Sequence, residues 1–163
     1  MIYIIDANNL AGKLGILKNV DFDKQLIDIM RQYNNGKGKK IFLVFDGVDR
    51  LGDKYEIENI TIIRSPKDDN YKTADDKIVE LAQNISKNVK DNLVVITNDL
   101  GIKDLIVKNN LDNEREIKIV KATDFAKQID FKQDSEQYED DKKLDDNDVD
   151  KINSELLKIW KDK

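Results

Sequence analysis

The chain has 163 residues, a formal net charge of −5, and neither cysteine nor histidine. The missing residue types exclude disulfides, thiolate or imidazole zinc sites, and every catalytic nucleophile or base built on Cys or His. Acid–base or metal chemistry must therefore use carboxylates, lysines, hydroxyls and water, and carboxylate oxygens favour Mg²⁺ or Mn²⁺ over softer ions.

The negative charge is concentrated near the C-terminus. Residues 134–150 carry a net charge of −7 and residues 151–163 carry +2, so that residues 1–133 are neutral. A nucleic-acid substrate is therefore compatible with the body of the chain. No apolar run reaches the roughly 18 residues that a membrane span needs, and the N-terminus lacks the pattern of a signal peptide. We expect a cytoplasmic protein with no membrane partner.

Short apolar runs rich in β-branched residues predict strands along the first 120 residues. They lie at 2–5, 41–45, 60–64, 93–97 and 117–120. Segments of helical periodicity separate several of them, at about 22–33, 78–89 and 102–110. Runs that barely alternate are typical of strands covered on both faces. Together these elements predict an α/β fold with a central, mainly parallel sheet of about five strands.

The pattern changes after residue 130, which predicts three regions. Residues 1–130 form the folded domain, residues 131–148 an acidic linker, and residues 149–163 a C-terminal amphipathic helix. The linker is too acidic and too poor in apolar residues to form a core. The helix either packs back onto the domain or binds a protein partner.

Aspartates follow three of the predicted strands, and another begins a helix. Asp6 follows the first strand, Asp46 the second and Asp99 the fourth, while Asp75 lies at the start of the helix after Thr73, its predicted N-cap. Any one of these acids is ordinarily a turn or helix-start residue. In an open α/β sheet, however, ligands bind outside the carboxyl ends of the strands. We therefore expect four or five carboxylates in one cleft.

Such a crowd of carboxylates favours a divalent cation, because like charges so close cannot all stay ionised without one. Metal-bound carboxylates are suited to phosphodiester hydrolysis, in which bound water is activated and the leaving oxygen is stabilised. Asn8, Thr97 and Asn98 are suited to orient water or a phosphate oxygen.

Four segments resemble, in order and spacing, the NYN branch of the PIN-like nucleases and its YacP-like group. That group typically shows an Asp-Gly-Tyr-Asn start, a strand ending in Phe-Asp, a Thr-Ala-Asp helix start and a Ser-Asp strand end. The corresponding segments lie at 4–9, 44–47, 73–78 and 96–99. The similarity covers roughly residues 2–125, and the tail from residue 131 lies outside it.

The resemblance implies a three-layer, Rossmann-like PIN-type fold and a Mg²⁺- or Mn²⁺-dependent endoribonuclease. Its partner would be RNA, with mRNA and ribosome-associated RNA as candidate forms. Carried over position by position, the catalytic, metal-binding acids are Asp6, Asp46, Asp75 and Asp99.

The chain departs from the family pattern after its first acid. It has Ala7-Asn8-Asn9 where the group usually has Gly-Tyr-Asn. Asn9 matches the family asparagine, and Asn8 replaces the tyrosine that could stack on a base. Asp76 follows the matched Asp75 and is assigned a supporting role.

RNA binding also requires cations near the acids, because phosphates must be held beside the carboxylates. Lys13 and Lys18 follow the first strand, and Arg50 and Lys54 follow the second. The loops that carry them should rim the cleft, so we predict that these four residues contact phosphates.

Two other groups of residues have less direct interpretations. Tyr55 and Tyr71 in the predicted rim loops would either stack on a base or pack conventionally. Lys37, Lys39 and Lys40 lie in a glycine-containing loop that enters the other end of the second strand, and are interpreted as a solvated turn.

Two alternative functions remain open. One is a phospho-acceptor receiver module, for which Thr97 and Lys121 would supply the accompanying hydroxyl and amine. The other is a non-catalytic relative that binds RNA, the ribosome or a protein. The chain has no phosphate-binding P-loop, since Gly12-Lys13 lacks the following Ser or Thr and the upstream glycine.

Overall fold

Six strands and five helices make up the part of the chain that the structure describes. The strands are β1 (Ile2–Asp6), β2 (Lys40–Phe45), β3 (Asp53–Ile57), β4 (Ile60–Arg64), β5 (Leu93–Ile96) and β6 (Lys118–Val120). The helices are α1 (Ala7–Lys13), α2 (Phe22–Asn34), α3 (Ala74–Asn88), α4 (Leu100–Asn109) and α5 (Ala122–Gln128).

This computed structural model describes residues 1–47, 52–66, 73–109 and 117–129, all of which belong to one unit, Met1–Asp130. Arg50, Tyr71, the acidic linker and the C-terminal helix predicted from the sequence lie outside the described residues. Within the described residues, no helix is long and apolar enough to cross a membrane.

The strands form one sheet in the order β3-β4-β2-β1-β5-β6. Every neighbouring pair is parallel except β3 and β4, which form an antiparallel hairpin. The predicted α/β fold with a mainly parallel sheet is therefore confirmed, with one strand more than expected. The five predicted strands and three predicted helices are all present.

The order of the parallel strands also bears on function. Counted along the chain, the five parallel strands run 3-2-1-4-5 across the sheet. This is the Rossmann order 3-2-1-4-5-6 without its sixth strand, and it differs from the 2-1-3-4-5 order of flavodoxin-like receivers. Strand order reverses at β1, and this is where doubly wound folds bind their ligands. The receiver alternative therefore has no support from the topology.

Apolar residues cover both faces of the sheet. On one face Ile2 and Ile4 of β1 pack with Ile78 of α3 and Ile102 of α4. Alternate residues of a strand point to opposite faces, and Tyr3 accordingly contacts Phe125 of α5, with ring centroids 5.9 Å apart. Each fully buried Ile contributes about 1.5–3 kcal/mol of transfer free energy. Because both faces are filled, polar chemistry is left to the ends of the strands.

Three elements were not predicted from the sequence. β3 is polar and largely exposed, so it lacks the apolar signal of a covered strand. It pairs with β4 through a two-residue turn at Glu58 and Asn59, in which Glu58 has a φ of 54°. α1 and α5 have seven residues each, too few for a clear helical period.

Candidate active site

Three adjacent strands bring aspartates to one edge of the sheet. Asp6 is the last residue of β1 and lies opposite Val44 of β2, so that Asp46 follows two residues further along. On the other side of β1, Ile5 lies opposite Ile96, and Thr97 and Asp99 follow directly. The carboxyl ends of β2, β1 and β5 thus form a single polar edge, as the sequence predicted.

Asp6 is buried, with 8% of its surface exposed, and its carboxylate is held by three donors. The backbone N of Asn9 donates to Oδ1 at 3.0 Å and the Asn9 side-chain Nδ2 donates to Oδ2 at 2.8 Å. Thr97 Oγ1 donates to Oδ2 at 3.0 Å. Asp6 therefore caps α1 while its charge is stabilised by neutral groups, which fix the carboxylate without neutralising it.

The Thr97 hydroxyl also connects Asp6 to Asp99. Its oxygen accepts a hydrogen bond from the backbone N of Asp99 at 3.0 Å. Asp99 in turn accepts a hydrogen bond from the backbone N of Ile102 at 3.1 Å, and so holds the first turn of α4. One buried threonine thus positions two of the predicted acids.

Gly101 keeps the space beside Asp99 open. A Cβ at this position would lie 3.0 Å from Asp99 Oδ1, closer than nearly all Cβ contacts in proteins. A larger residue would therefore crowd the carboxylate.

Asn8 positions Asp46 through its side chain, because the backbone N of Asp46 donates to Asn8 Oδ1 at 3.2 Å. The pKa of Asp46 is raised, first by its partial burial and then by the nearby negative charge of Asp6. The two acids are therefore close enough to repel each other.

Asp75 lies in the first turn of α3, beside a capping box. Thr73 Oγ1 accepts from the backbone N of Asp76 at 3.2 Å, and the Asp76 carboxylate accepts from the backbone N of Thr73 at 3.1 Å. The predicted Thr73 N-cap is thus present, and Asp76 serves as its reciprocal partner.

The pKa of Asp75 is raised by partial burial and then by the negative charges of its acidic neighbours, with Asp99 the strongest, followed by Asp6, Asp46 and Asp76. All four predicted acids therefore lie within electrostatic reach of one another. No ion pair between described residues involves any of the four.

The donor set suits a hard cation, since all its ligands are oxygens. Among the described residues, however, no group of three or more acidic side chains is placed to hold an ion by itself. Mg²⁺ characteristically keeps several waters and binds through one or two carboxylates together with substrate phosphates. The carboxylates and the raised pKa values of Asp46 and Asp75 fit an ion held in that way.

Comparisons with known proteins identify the family and agree with the fold. The sequence profile of the YacP-like NYN domain matches residues 3–162. The chain belongs to the YacP-like NYN domain family. This family is a branch of the PIN-like nuclease superfamily, which indicates a nuclease-type function at a general level. The match includes the tail that the sequence motifs alone left outside the resemblance.

One solved structure similar to this NYN domain is that of a mutant of Rae1 (YacP) from Bacillus subtilis. The two share 22% sequence identity with a TM-score of 0.58, and the alignment covers 79% of this chain and 74% of the other. This similarity shows a shared fold. No curated protein matches the chain.

The other residues predicted for the site of this NYN domain lie in different surroundings. Asn98 is bonded to Thr123 of α5, donating through Nδ2 to its hydroxyl at 3.0 Å and accepting from its backbone N at 3.4 Å. Lys13 is exposed in the last turn of α1, and Lys18 is exposed between α1 and α2. Lys54 was expected in a rim loop, but it lies on β3 because the polar hairpin was not predicted.

Sequence reasoning missed the arginine at the end of β4. Arg64 pairs with Asp23 of α2 at 2.7 Å and with Asp53 at 3.3 Å. Its guanidinium lies 5.4 Å from the ring centre of Tyr55, which is a strand residue and not the rim-loop residue expected. Burial alone would raise the pKa of Asp23, but the hydrogen bond and the charge of Arg64 lower it. A cation directly after an apolar run was the available sequence signal.

Proposed function

We propose that this NYN domain is a Mg²⁺- or Mn²⁺-dependent endoribonuclease that hydrolyses RNA phosphodiester bonds at the carboxyl edge of its sheet. The observation that carries the proposal is the convergence of Asp6, Asp46, Asp75 and Asp99, which come from four separate segments of the chain. No described cation forms an ion pair with them. Four acids this close repel one another unless a cation binds, and the same arrangement is well suited to metal-assisted hydrolysis.

A divalent ion at this edge would lower the pKa of an attacking water and neutralise charge on the leaving oxygen. The chain itself supplies orientation. Asn9 and Thr97 fix the Asp6 carboxylate, and Asn8 fixes the backbone beside Asp46. Groups held in this way need not reorganise when substrate binds, which is the main requirement for electrostatic stabilisation.

Helix starts at the same edge favour a phosphate substrate. α3 and α4 both begin here, and the N-terminus of a helix carries a partial positive charge. The two helix starts would partly offset the repulsion between RNA phosphates and the aspartates. Lys13 and Lys18, which follow β1 in the sequence, remain proposed phosphate contacts. Lys54, on the β3–β4 hairpin, is the third proposed contact among the described residues.

The test is a cleavage assay with the purified full chain on single-stranded and structured RNAs, in Mn²⁺, Mg²⁺ or EDTA. We expect cleavage with either ion and none in EDTA. The products should be RNA fragments from cuts within the strand, as an endoribonuclease gives. Asp99→Asn should reduce the cleavage rate by at least about a hundredfold. Removing a residue that only supports a metal ligand already costs up to about a hundredfold, and Asp99 is proposed as a ligand itself. Asparagine can still cap α4, so this variant removes charge and leaves the helix start in place.

A matched control is Asp104→Asn, since Asp104 is an exposed acid on the same helix. It should cleave at the wild-type rate. If Asp99→Asn cleaves as fast as Asp104→Asn, the catalytic assignment is wrong. RNA binding without cleavage under every metal condition would instead favour the non-catalytic relative.

A further inference from the structure

Two tyrosines and two lysines form a cluster at the amino edge of the sheet, opposite the aspartates. Tyr3 lies near the start of β1, Tyr33 near the end of α2, and Lys37 and Lys39 in the loop that leads to β2. Lys39 Nζ donates to the Tyr33 hydroxyl at 2.9 Å and to the Tyr3 hydroxyl at 3.2 Å. We refer to these four residues as the tyrosine–lysine cluster.

The loop that carries the lysines is closed by two hydrogen bonds between the Asn34 side chain and the Lys39 backbone. Asn34 Nδ2 donates to the backbone O of Lys39 at 2.7 Å, and Asn34 Oδ1 accepts from the backbone N of Lys39 at 3.0 Å. Gly36 and Gly38 have φ values of 68° and 57°, a conformation that other residues rarely adopt. The loop was expected to be a solvated turn, but it places Lys39 against two tyrosines.

The two lysines contact the same aromatic ring, and neither forms an ion pair with a carboxylate in the part of the chain that the structure describes. Lys37 Nζ lies 3.9 Å and Lys39 Nζ 4.6 Å from the centre of the Tyr33 ring. Their charges are thus closer together than the Debye length of about 10 Å at 0.1 M salt. Within the described residues no carboxylate forms an ion pair with Lys37, Lys39 or the adjacent Lys40.

Lys39 remains charged in this position. Burial alone would lower its pKa, but the hydrogen bonds to the two tyrosine hydroxyls raise it. Phe125 fixes the Tyr33 ring by an edge-on contact, with centroids 5.2 Å apart. The cluster therefore holds two like charges beside one aromatic ring, and these charges repel each other unless an anion binds.

We propose that the tyrosine–lysine cluster binds backbone phosphates of an RNA strand, at a point away from the bond that is cut. This inference rests on the proposed function, which makes RNA the polyanion that reaches this surface. Tyr3 and Asp6 lie on the same strand, three residues and thus about 10 Å apart. Because helices cover both faces of the sheet, an RNA strand that reaches both edges must pass around the domain, and its path is longer than this distance. Compact ammonium groups are ordinary phosphate ligands.

The experiment measures RNA binding by fluorescence anisotropy in EDTA, over a range of salt concentrations. The probes are labelled single-stranded RNAs of about 16 and about 4 nucleotides, near the limits of common single-strand sites. For Lys37→Gln and Lys39→Gln, the slope of log affinity against log salt should become shallower by about 0.7 for each phosphate that the variant no longer binds. The effect should occur with the long RNA and be absent with the short one. Melting curves show whether each variant is folded, and the exposed Lys37→Gln tests the proposal by itself.

The matched control is Lys87→Gln with Lys108→Gln, exposed lysines in the last turns of α3 and α4. An unchanged salt slope in folded Lys37→Gln, or an equal change in the control, would overturn the proposal. Polyglutamate binding with the same dependence on Lys37 and Lys39 would replace RNA by an acidic protein as the partner. Cleavage of RNA in Mn²⁺ is assayed separately. If Lys37→Gln has the wild-type salt slope and the wild type cleaves RNA, only the proposed role of the cluster is rejected. If the slope of Lys37→Gln is shallower but the wild type does not cleave RNA, only the nuclease proposal is rejected.

Discussion

The two ends of the sheet hold opposite charges by the same physical means. At the carboxyl edge, Asp6 is bound by an amide and a hydroxyl, and at the amino edge Lys39 is bound by two tyrosine hydroxyls. In neither place does an opposite charge among the described residues pair with the held group. Neutral partners fix a charged side chain while leaving its charge available, which is what a ligand-binding site requires. The contrast is with Arg64, which is fixed by two carboxylates and has its charge compensated.

The largest expected effect separates charge from scaffold at Asp6. Asp6→Asn should lower the cleavage rate by at least about a hundredfold while the melting temperature stays within a few degrees, because asparagine still caps α1. Asp6→Ala should lose both activity and stability. The measurements are initial cleavage rates in Mn²⁺ and thermal unfolding followed by circular dichroism. If Asp6→Asn cleaves RNA at the wild-type rate, the carboxyl edge of the sheet is not the catalytic site.

The next effect concerns Thr97, which bonds both Asp6 and the backbone of Asp99. Thr97→Val keeps the shape but removes the hydroxyl, so it should cost about 1–3 kcal/mol of unfolding free energy and about 10–100-fold in rate. Thr97→Ser should restore both. A structural role alone would not change the Mn²⁺ concentration needed for half-maximal rate, whereas a positioning role should raise it in Thr97→Val. An unchanged Mn²⁺ dependence would reduce Thr97 to a packing residue.

A smaller effect is expected at the amino edge, and it should affect a different kinetic constant. Lys37→Gln combined with Lys39→Gln should raise KM for a long RNA and leave kcat unchanged, because a remote contact binds ground and transition states equally. Steady-state kinetics on long and short RNAs provide the check. A fall in kcat with unchanged KM would show that the cluster contributes to the chemical step, and the two edges would then not have separate roles.

The smallest effect is on stability. Because burial and neighbouring acids raise the pKa of Asp75 in the folded state, the folded chain holds its proton to higher pH than the unfolded chain does. Stability from this group is therefore present at low pH and is lost as pH rises from the ordinary value of 3.8 through the raised value. At pH 7 without metal the ionised Asp75 destabilises the fold, so Asp75→Asn should raise the melting temperature by about one or two degrees.

The control for that measurement is Asp104→Asn, which should leave the melting temperature unchanged. Mn²⁺ should stabilise the wild type more than Asp75→Asn, since the ion relieves the same repulsion. If Asp75→Asn is less stable than the wild type in metal-free buffer, the acids do not repel one another as inferred.

Much of the architecture was predictable because covered strands leave a strong local signal. The runs of β1, β2, β4 and β5 are apolar and short, and the helix after Thr73 has a recognisable start. Polar β3 carries no such signal, which is why Lys54 and Tyr55 were expected in loops. The short α1 also lacks a clear signal. The sequence also predicted a site of four aspartates, and the rule that parallel strands end at one edge accounts for the placement of Asp6, Asp46 and Asp99.

The hydrogen bonds that hold the charges could not be predicted from sequence. Thr97 and Asp6 are 91 positions apart, and Lys39 and Tyr3 are 36 positions apart. Each pair meets only because the strand order and register bring them together, and a shift of one residue would turn the side chains to opposite faces. Asn9 was placed near the site by the family pattern, but its two bonds to Asp6 depend on the unpredicted α1.

The position of β1 has a consequence for how the molecule opens. All five of its residues are buried, and it is bonded along its length to β2 and β5. Its amides should therefore be among the last to exchange with solvent deuterium, at a rate set by global unfolding and not by local fraying. Asp6 is thus anchored to the part of the sheet least able to yield. Repulsion from the neighbouring acids therefore cannot displace Asp6 by local unfolding, and its carboxylate should keep its place until the whole domain unfolds.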